Sequence, residues 1–296
     1  PRAAEGGGSM SRTLVLKFGG ATLASAGRVA RAAARVRSHV RRGRRVAVVV
    51  SAEGDTTDAI LGRANALGVR GGAADRCVVG GREGAARELD RALATGEDRA
   101  AALLAIALWR RGVPARSLRG GEAGIEAEGE FGGGVVTRVD PAVLRRLLDA
   151  GVVPVVSGFQ GVRGDGETVT LGRGGSDISA VVLAAALGAD CHIVKDVAGV
   201  YDRDPNVHPD ARRFGSLGYG DLLLLAEAGA QVVHPAAVRL AASARVPLRV
   251  YHFAAPPGAP GGTRVGARRA RVVSVARSAV VDPSSTAAVG ASGGAA

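Results

Sequence analysis

Lysine is almost missing from this 296-residue chain: among its 39 basic residues only Lys17 and Lys195 are lysine, and the rest are arginine. Such a composition supplies arginine wherever any positive charge will do, so a retained lysine marks a task for a compact ammonium on a flexible stem. Point-charge contact with phosphate is one such task. Aromatic residues make up only 3% of the chain, which removes the stacking platforms that single-stranded nucleic-acid binding needs. There are two cysteines, Cys77 and Cys191, with no CxxC pair and no histidine at ligand spacing. A disulfide framework and a structural metal site are therefore not expected, and a reducing cytoplasm is the natural setting. No run of about 18 apolar residues occurs, so no membrane partner is expected. Residues 1–9 lack the apolar segment of a secretory signal, and Met10, the single methionine, directly precedes the first apolar run. These nine residues read as a disordered leader or tag before a folded part that starts at residue 10.

What is present is a 47% hydrophobic chain with 45 glycines and a formal net charge of +12. The hydrophobic content supports one large core or two lobes, and the glycines imply tight turns and close packing. Six arginines, at positions 35, 37, 41, 42, 44 and 45, form a dense basic run. They flank the end of an Ala-rich helix, where cations suit the carbonyl end of the dipole, and read as a solvated helix terminus with no nucleic-acid partner.

From Thr13 to about Phe253, β-branched runs alternate with longer Ala/Leu-rich stretches. This pattern predicts a mostly parallel sheet covered by helices on both faces. Strands are expected at 13–18, 45–51, 152–157, 190–195 and 247–252. Helices are expected near 25–42, 57–67, 83–95, 97–111, 140–149, 177–187, 218–228 and 234–244. The glycine-rich stretch 119–138 reads as antiparallel hairpin material. After residue 255 the composition turns to Gly, Pro and Ala, with only 270–281 suited to one more strand.

Three segments carry chemistry. Lys17-Phe18-Gly19-Gly20-Ala21 ends a strand in a glycine turn, which would set an ammonium beside free backbone N–H groups at a helix start. Leu171-Gly172-Arg173-Gly174-Gly175-Ser176-Asp177 packs a fork-shaped donor, three glycines, a hydroxyl and a carboxylate into seven residues before an apolar helix; Ser176 and Asp177 suit an N-cap, and the embedded Arg173 favours anion binding. Between them Ser51 opens a hydroxyl-rich loop that reaches Thr57 and Asp58, where capping and ligand contact are compatible. Glu97, at the start of the helix expected at 97–111, either suits the dipole or holds a substrate ammonium. Lys195 closes a second apolar run and leads into Asp196-Val197-Ala198-Gly199.

Taken in order, the segments KFGGATLAS, VVSAEGDTTDAIL, TGEDRAAALL, VPVVSGFQG, TLGRGGSDISAVVLAAALGAD, KDVAGVYDRDP and AGAQVVHPAAV resemble the aspartate kinase branch of the amino-acid kinase family over roughly residues 11–255. The resemblance implies a three-layer α/β/α sandwich with a mostly parallel central sheet, a substrate lobe over about 10–165 and a nucleotide lobe over about 166–255. It also implies transfer of the γ-phosphoryl group of ATP, with Mg2+, to the side-chain carboxylate of L-aspartate, in a homodimer or other homo-oligomer. By position, Lys17 would neutralise the transferring group, with Asp177 beside it as the second catalytic residue. Gly19, Gly20, Gly174 and Gly175 would serve the phosphates. Ser51, Thr57, Glu97, Arg173 and Ser176 would surround the amino acid, and Lys195, Asp196, Tyr201 and Gln231 fall on the nucleotide side. Asn206 and Gln231 stand where the family commonly carries Arg and Lys. The regulatory ACT modules typical of aspartate kinases are not seen in the sequence, so feedback regulation is not expected. Two further readings stand beside this one: a pathway-dedicated relative acting on another small acid, and a nucleotide-binding member without turnover.

Overall fold

Parallel strands covered on both faces need near-continuous apolar runs, and the chain supplies them at regular intervals. The computed structural model describes residues 13–68, 82–230, 232–256 and 261–266. In chain order the elements are β1 (Leu14–Phe18), α1 (Ala26–Arg41), β2 (Val46–Val50), α2 (Thr56–Ala66), α3 (Arg82–Trp109), β3 (Ala115–Leu118), β4 (Ile125–Glu128), β5 (Val135–Val139) and α4 (Ala142–Asp149). There follow β6 (Val153–Ser157), β7 (Gln160–Val162), β8 (Thr168–Thr170), α5 (Gly175–Leu187), β9 (Asp190–Lys195), β10 (Ser216–Gly218), α6 (Tyr219–Glu227), α7 (Pro235–Ser243), β11 (Leu248–His252) and β12 (Thr263–Gly266).

The main sheet has the order β10-β12-β11-β9-β1-β2-β6-β3, and the run from β11 to β3 is parallel throughout. A smaller sheet, β5-β4-β7-β8, carries the predicted hairpin as β4 and β5. The strand period of two sorts side chains to opposite faces. Leu14, Leu16 and Phe18 of β1 join Val46, Val48 and Val50 of β2 in a core under α1 and α3. Val15, Ala47 and Val49 point the other way into a core shared with α4, α5, α6 and α7. The result is the expected three-layer sandwich.

Two expectations need correcting. The helices read at 83–95 and 97–111 are one, α3. Gly96 sits inside it because a Cβ there would lie 2.9 Å from the Cβ of Ala52, so the glycine marks a close crossing over the loop after β2 and not a break. The basic run is not a solvated terminus throughout: Arg35 is buried at 5% exposure, and its guanidinium donates to the carbonyls of Phe253, at 2.7 Å, and Ala255. Cys191 is buried as a free thiol, while Cys77 and the strand expected at 270–281 lie outside the described residues. Among the described residues, no helix is long and apolar enough to cross a membrane.

Candidate active site

The strand order reverses at β1: the chain leaves it for β2 on one side and later returns to its other side through β9. In open α/β sheets ligands bind beyond the carboxyl ends of the strands at such a switch point. Register makes this specific. Phe18 pairs with both Val50 and Val194, and Val50 pairs with Ser157. The next row across four strand ends is therefore Gly19, Ser51, Gly158 and Lys195. Three of these were legible in the sequence and Gly158 was not. A Cβ on Gly158 would fall 2.9 Å from both Ser176 Cβ and Val50 O, so the row abuts the first turn of α5.

Lys17 shares the face of Val15, the α5 side. It is buried at 5% exposure, and a buried ammonium is strongly unfavourable unless paired. Its partner is Asp177 in the first turn of α5, with Nζ to Oδ1 at 2.8 Å. The other oxygen, Oδ2, accepts from the backbone N–H of His234 at 3.2 Å. Burial alone would raise the pKa of Asp177, but the charges of Lys17 and Lys195 outweigh it and hold the carboxyl below its ordinary range. Burial lowers the pKa of Lys195, against the opposing pull of Asp177. The two lysines thus flank one carboxylate at a helix N-terminus, on adjacent parallel strands.

Glycines make this approach possible. A Cβ on Gly20 would lie 2.5 Å from Ala52 O, and the loop is tied down where Gly54 N–H donates to Gly20 O at 3.1 Å. Gly174 is the N-cap of α5 at φ +75°, and a Cβ there would lie 2.2 Å from the His234 ring. Ser176 and Asp177 are consequently first-turn residues, not caps. In the same way α2 starts at Thr56 after Asp55, so Thr57 and Asp58 lie in its first turn and cap nothing.

Glu97 is not at a helix start either; it lies mid-way along α3, so the dipole reading falls. Its Oε1 accepts from Ala52 N–H at 2.9 Å, while Oε2 is buried with no hydrogen-bond partner among the described residues. Burial pushes its pKa up to about 7. An orphaned acceptor beside the loop that carries Ser51 calls for a donor from outside the chain. Arg173 is exposed in the turn before α5, and Asp196 is exposed beyond β9. Tyr201 lies farther along, in a bridge with Arg213. Asn206 spends its side chain locally, donating to Asp204 Oδ1 at 3.0 Å. Gln231 lies outside the described residues.

Sequence reasoning missed three supports. His234 walls the turn at Gly174. Phe159, at φ +68°, holds a strained conformation for a bulky residue as the chain turns from β6 towards β7. Asp90 of α3 accepts from Gly132 N–H and from the N–H and hydroxyl of Thr170, locking the small sheet to α3. The positive φ and the buried acceptor are tertiary properties with no sequence signature.

The sequence model of the amino acid kinase family matches residues 12–252. The chain belongs to this family. An aspartokinase of Thermus thermophilus is 40% identical over 238 residues, which is 80% of this chain and 56% of that protein. The crystal structure of aspartate kinase from Synechocystis matches with a TM-score of 0.70 at 36% identity, covering 89% of this chain and 41% of that one. E. coli aspartokinase III in complex with aspartate and ADP matches with a TM-score of 0.72 at 26% identity, covering 88% and 65%. The chain thus spans little more than half the length of the curated relative.

Proposed function

We propose that this amino-acid kinase family member transfers the γ-phosphoryl group of ATP to the side-chain carboxylate of L-aspartate, forming an acyl phosphate. The observation that carries the reading is Asp177 held between Lys17 and Lys195 at the N-terminus of α5. That arrangement concentrates positive potential where two anionic reactants must meet. The solved relative that holds aspartate together with ADP supports the same pair of ligands here.

Phosphoryl transfer depends on positioning and charge neutralisation more than on covalent chemistry. Lys17 and the turn at Gly19-Gly20 would receive the phosphoryl oxygens, and Asp177 holds the Lys17 ammonium in place. Gly174 and Gly175 would open the start of α5 to the nucleotide phosphates, and Lys195 with Asp196 and Tyr201 would lie on the nucleotide side. Glu97, with its orphaned Oε2, would take the substrate ammonium, while Arg173 would fork onto a substrate carboxylate with Ser51, Thr57 and Ser176 alongside. ATP supplies the group transferred, and Mg2+ offsets the charge of its phosphates. No three carboxylate, imidazole or thiolate groups form a metal cage among the described residues; this fits Mg2+, which commonly keeps its waters and takes one or two carboxylates with substrate phosphates. The exposed Asp196 next to Lys195 is the candidate carboxylate. A cytoplasmic setting and a homodimer belong to the same proposal.

Hydroxylamine trapping of acyl phosphate over a panel of carboxylates tests it. Aspartate should give the strongest signal, and Lys17→Arg should lower the rate at least ~100-fold with the fold retained, because a planar guanidinium does not replace a point charge. A better acceptor than aspartate would reassign the substrate, and a Lys17→Arg variant within ten-fold of wild type would remove the role given to Lys17.

A further inference from the structure

Three consecutive side chains of α3 reach three different parts of the chain, and the third has no place in the proposed reaction. Glu97 accepts from Ala52 N–H at 2.9 Å. Asp98 accepts from the side-chain amide of Gln160, a buried residue of β7, at 3.1 Å, and lies 3.2 Å from Arg119 Nε just after β3. These contacts fix α3 against the two sheets. Arg99 instead reaches the loop after β2: its Nε donates to Glu53 Oε2 at 3.1 Å and its Nη2 to Thr56 Oγ1 at 2.9 Å. The Thr56 hydroxyl in turn donates to Glu53 O at 2.6 Å, and Thr56 N–H donates to the same carbonyl at 3.1 Å. One guanidinium therefore holds both ends of the turn 53–56.

That turn also touches the phosphoryl end of the cleft. Gly54 N–H donates to Gly20 O, and a Cβ on Gly20 would lie 2.5 Å from Ala52 O and 3.3 Å from Gly54 O. Gly54 takes φ +50°, and a Cβ there would lie 3.4 Å from Ala24 Cβ. The loop is thus gripped from two sides. α3 holds it through Ala52, Glu53 and Thr56, and the turn after β1 holds it through Gly54. Moving it shifts the donor to Glu97 and the partner of Gly20 together, since only residues 52–54 separate them.

On the reading above that the cleft joins an amino acid to a phosphoryl group, we propose that Arg99 is a positioning residue: through Glu53 and Thr56 it keeps the loop after β2 where it serves Glu97 and the Gly19-Gly20 turn at once. The Arg99 side chain is 55% exposed, and exposed ion pairs contribute little to stability. Its effect lies in alignment, where a displacement of about 1 Å can cost ~100-fold in rate. The held loop also keeps the Ala52 N–H on Glu97. Burial pushes the pKa of Glu97 up and that hydrogen bond pulls it back, so a loosened loop leaves Glu97 protonated to a higher pH.

The test compares wild type with Arg99→Ala, Glu53→Ala, the double variant and Glu53→Gln. Amide hydrogen exchange reads the loop without turnover. In Arg99→Ala the amides of Ala52 and Gly54 should exchange at least ~10-fold faster relative to that of Val15, which reports global opening, with the melting temperature within about 4 °C of wild type. Kinetics read the consequence: kcat/KM for aspartate should fall at least ~10-fold, KM for ATP should stay within about two-fold, and the acid-side midpoint of kcat/KM should rise by at least about half a pH unit. The double variant should be no worse than either single one, because the pair acts as a unit. Glu53→Gln keeps the acceptor and should stay within about three-fold of wild type. Unchanged exchange at Ala52 and Gly54, equal weakening of both substrates, additive losses in the double variant, or a fall in melting temperature that accounts for the lost activity would each overturn the proposal. If another acid proves the better acceptor, the kinetics use that acid, so an error in the substrate is read apart from an error in the role of Arg99; the exchange measurement decides that role even for a chain that transfers no phosphoryl group.

Discussion

Glu97 concentrates the strain of the proposed site in one group. Its ordinary pKa of 4.5 is raised to about 7 by burial, against the opposing hydrogen bond from Ala52. Between those two values the folded chain keeps a proton that the unfolded chain has lost, so stability falls as pH rises through that window. The full cost, on the order of 3 kcal/mol for a shift of that size, is present above pH 7 and absent below pH 4. Glu97→Gln keeps an acceptor for Ala52 and removes the titration. Urea unfolding should therefore find the variant near wild-type stability at pH 4 and more stable by about 1–3 kcal/mol at pH 8. The same substitution removes the charge that would meet a substrate ammonium. The KM for aspartate should rise at least ~10-fold, and its increase on going from pH 8 to pH 6, expected in wild type, should vanish. Parallel stability profiles for the two proteins would mean that Glu97 ionises as an ordinary exposed carboxylate does. The residue was legible in the sequence, but its place in mid-helix and its orphaned oxygen were not, because both depend on what crosses over it.

That crossing is a matter for elements. Glycine inside a helix ordinarily costs about 1 kcal/mol relative to alanine, which is why the sequence reads as two helices meeting near residue 96. The glycine is retained because α3 passes so close to the loop after β2 that a Cβ would lie 2.9 Å from Ala52 Cβ and 3.3 Å from Thr56 Cγ2. Gly62 in α2 is the control, since a Cβ there would meet nothing within 4 Å. Gly62→Ala should stabilise by about 0.5–1 kcal/mol. Gly96→Ala should destabilise by about 1–3 kcal/mol through overpacking, and should weaken aspartate more than ATP because the displaced loop carries Ser51 and leads into Thr57 in the first turn of α2. Thermal unfolding of the two variants, with steady-state kinetics on the second, decides the matter; a stabilised Gly96→Ala would show that the helix and loop have room to part. The same contrast explains what the sequence revealed of the fold. Valine-rich central strands such as β2 and β6 were evident because burial on both faces leaves a continuous apolar run. The short strands β7, β8, β10 and β12 were not, since three or four residues carry no period and their partners set them.

At the scale of the whole molecule the sequence showed the layering, through alternation of strand and helix, and the order of the site motifs. It did not show which strand ends share a row, because register is a tertiary property, nor which arginines of the basic run turn inward. The sheet that resolves both questions is covered unevenly. Its centre, β9-β1-β2, lies between two large cores, with Val15 and Ile193 buried on one side and Val48 on the other. Its far edge is the three-residue β10 against β12, the strand that breaks the parallel run. Opening the centre requires exposing both cores, so amides of Val15, Val48 and Ile193 should exchange only through global unfolding and share a single protection free energy equal to that from denaturant melts. Opening β10 exposes mainly Leu217, so amides of β10 and β12 should exchange at a cost lower by at least about 2 kcal/mol, with little dependence on denaturant. Native-state hydrogen exchange across a urea series measures both sets at once. Edge amides as protected as those of β1 would mean that the eight strands open as one unit, and would contradict the division into a doubly covered centre and a lightly held edge.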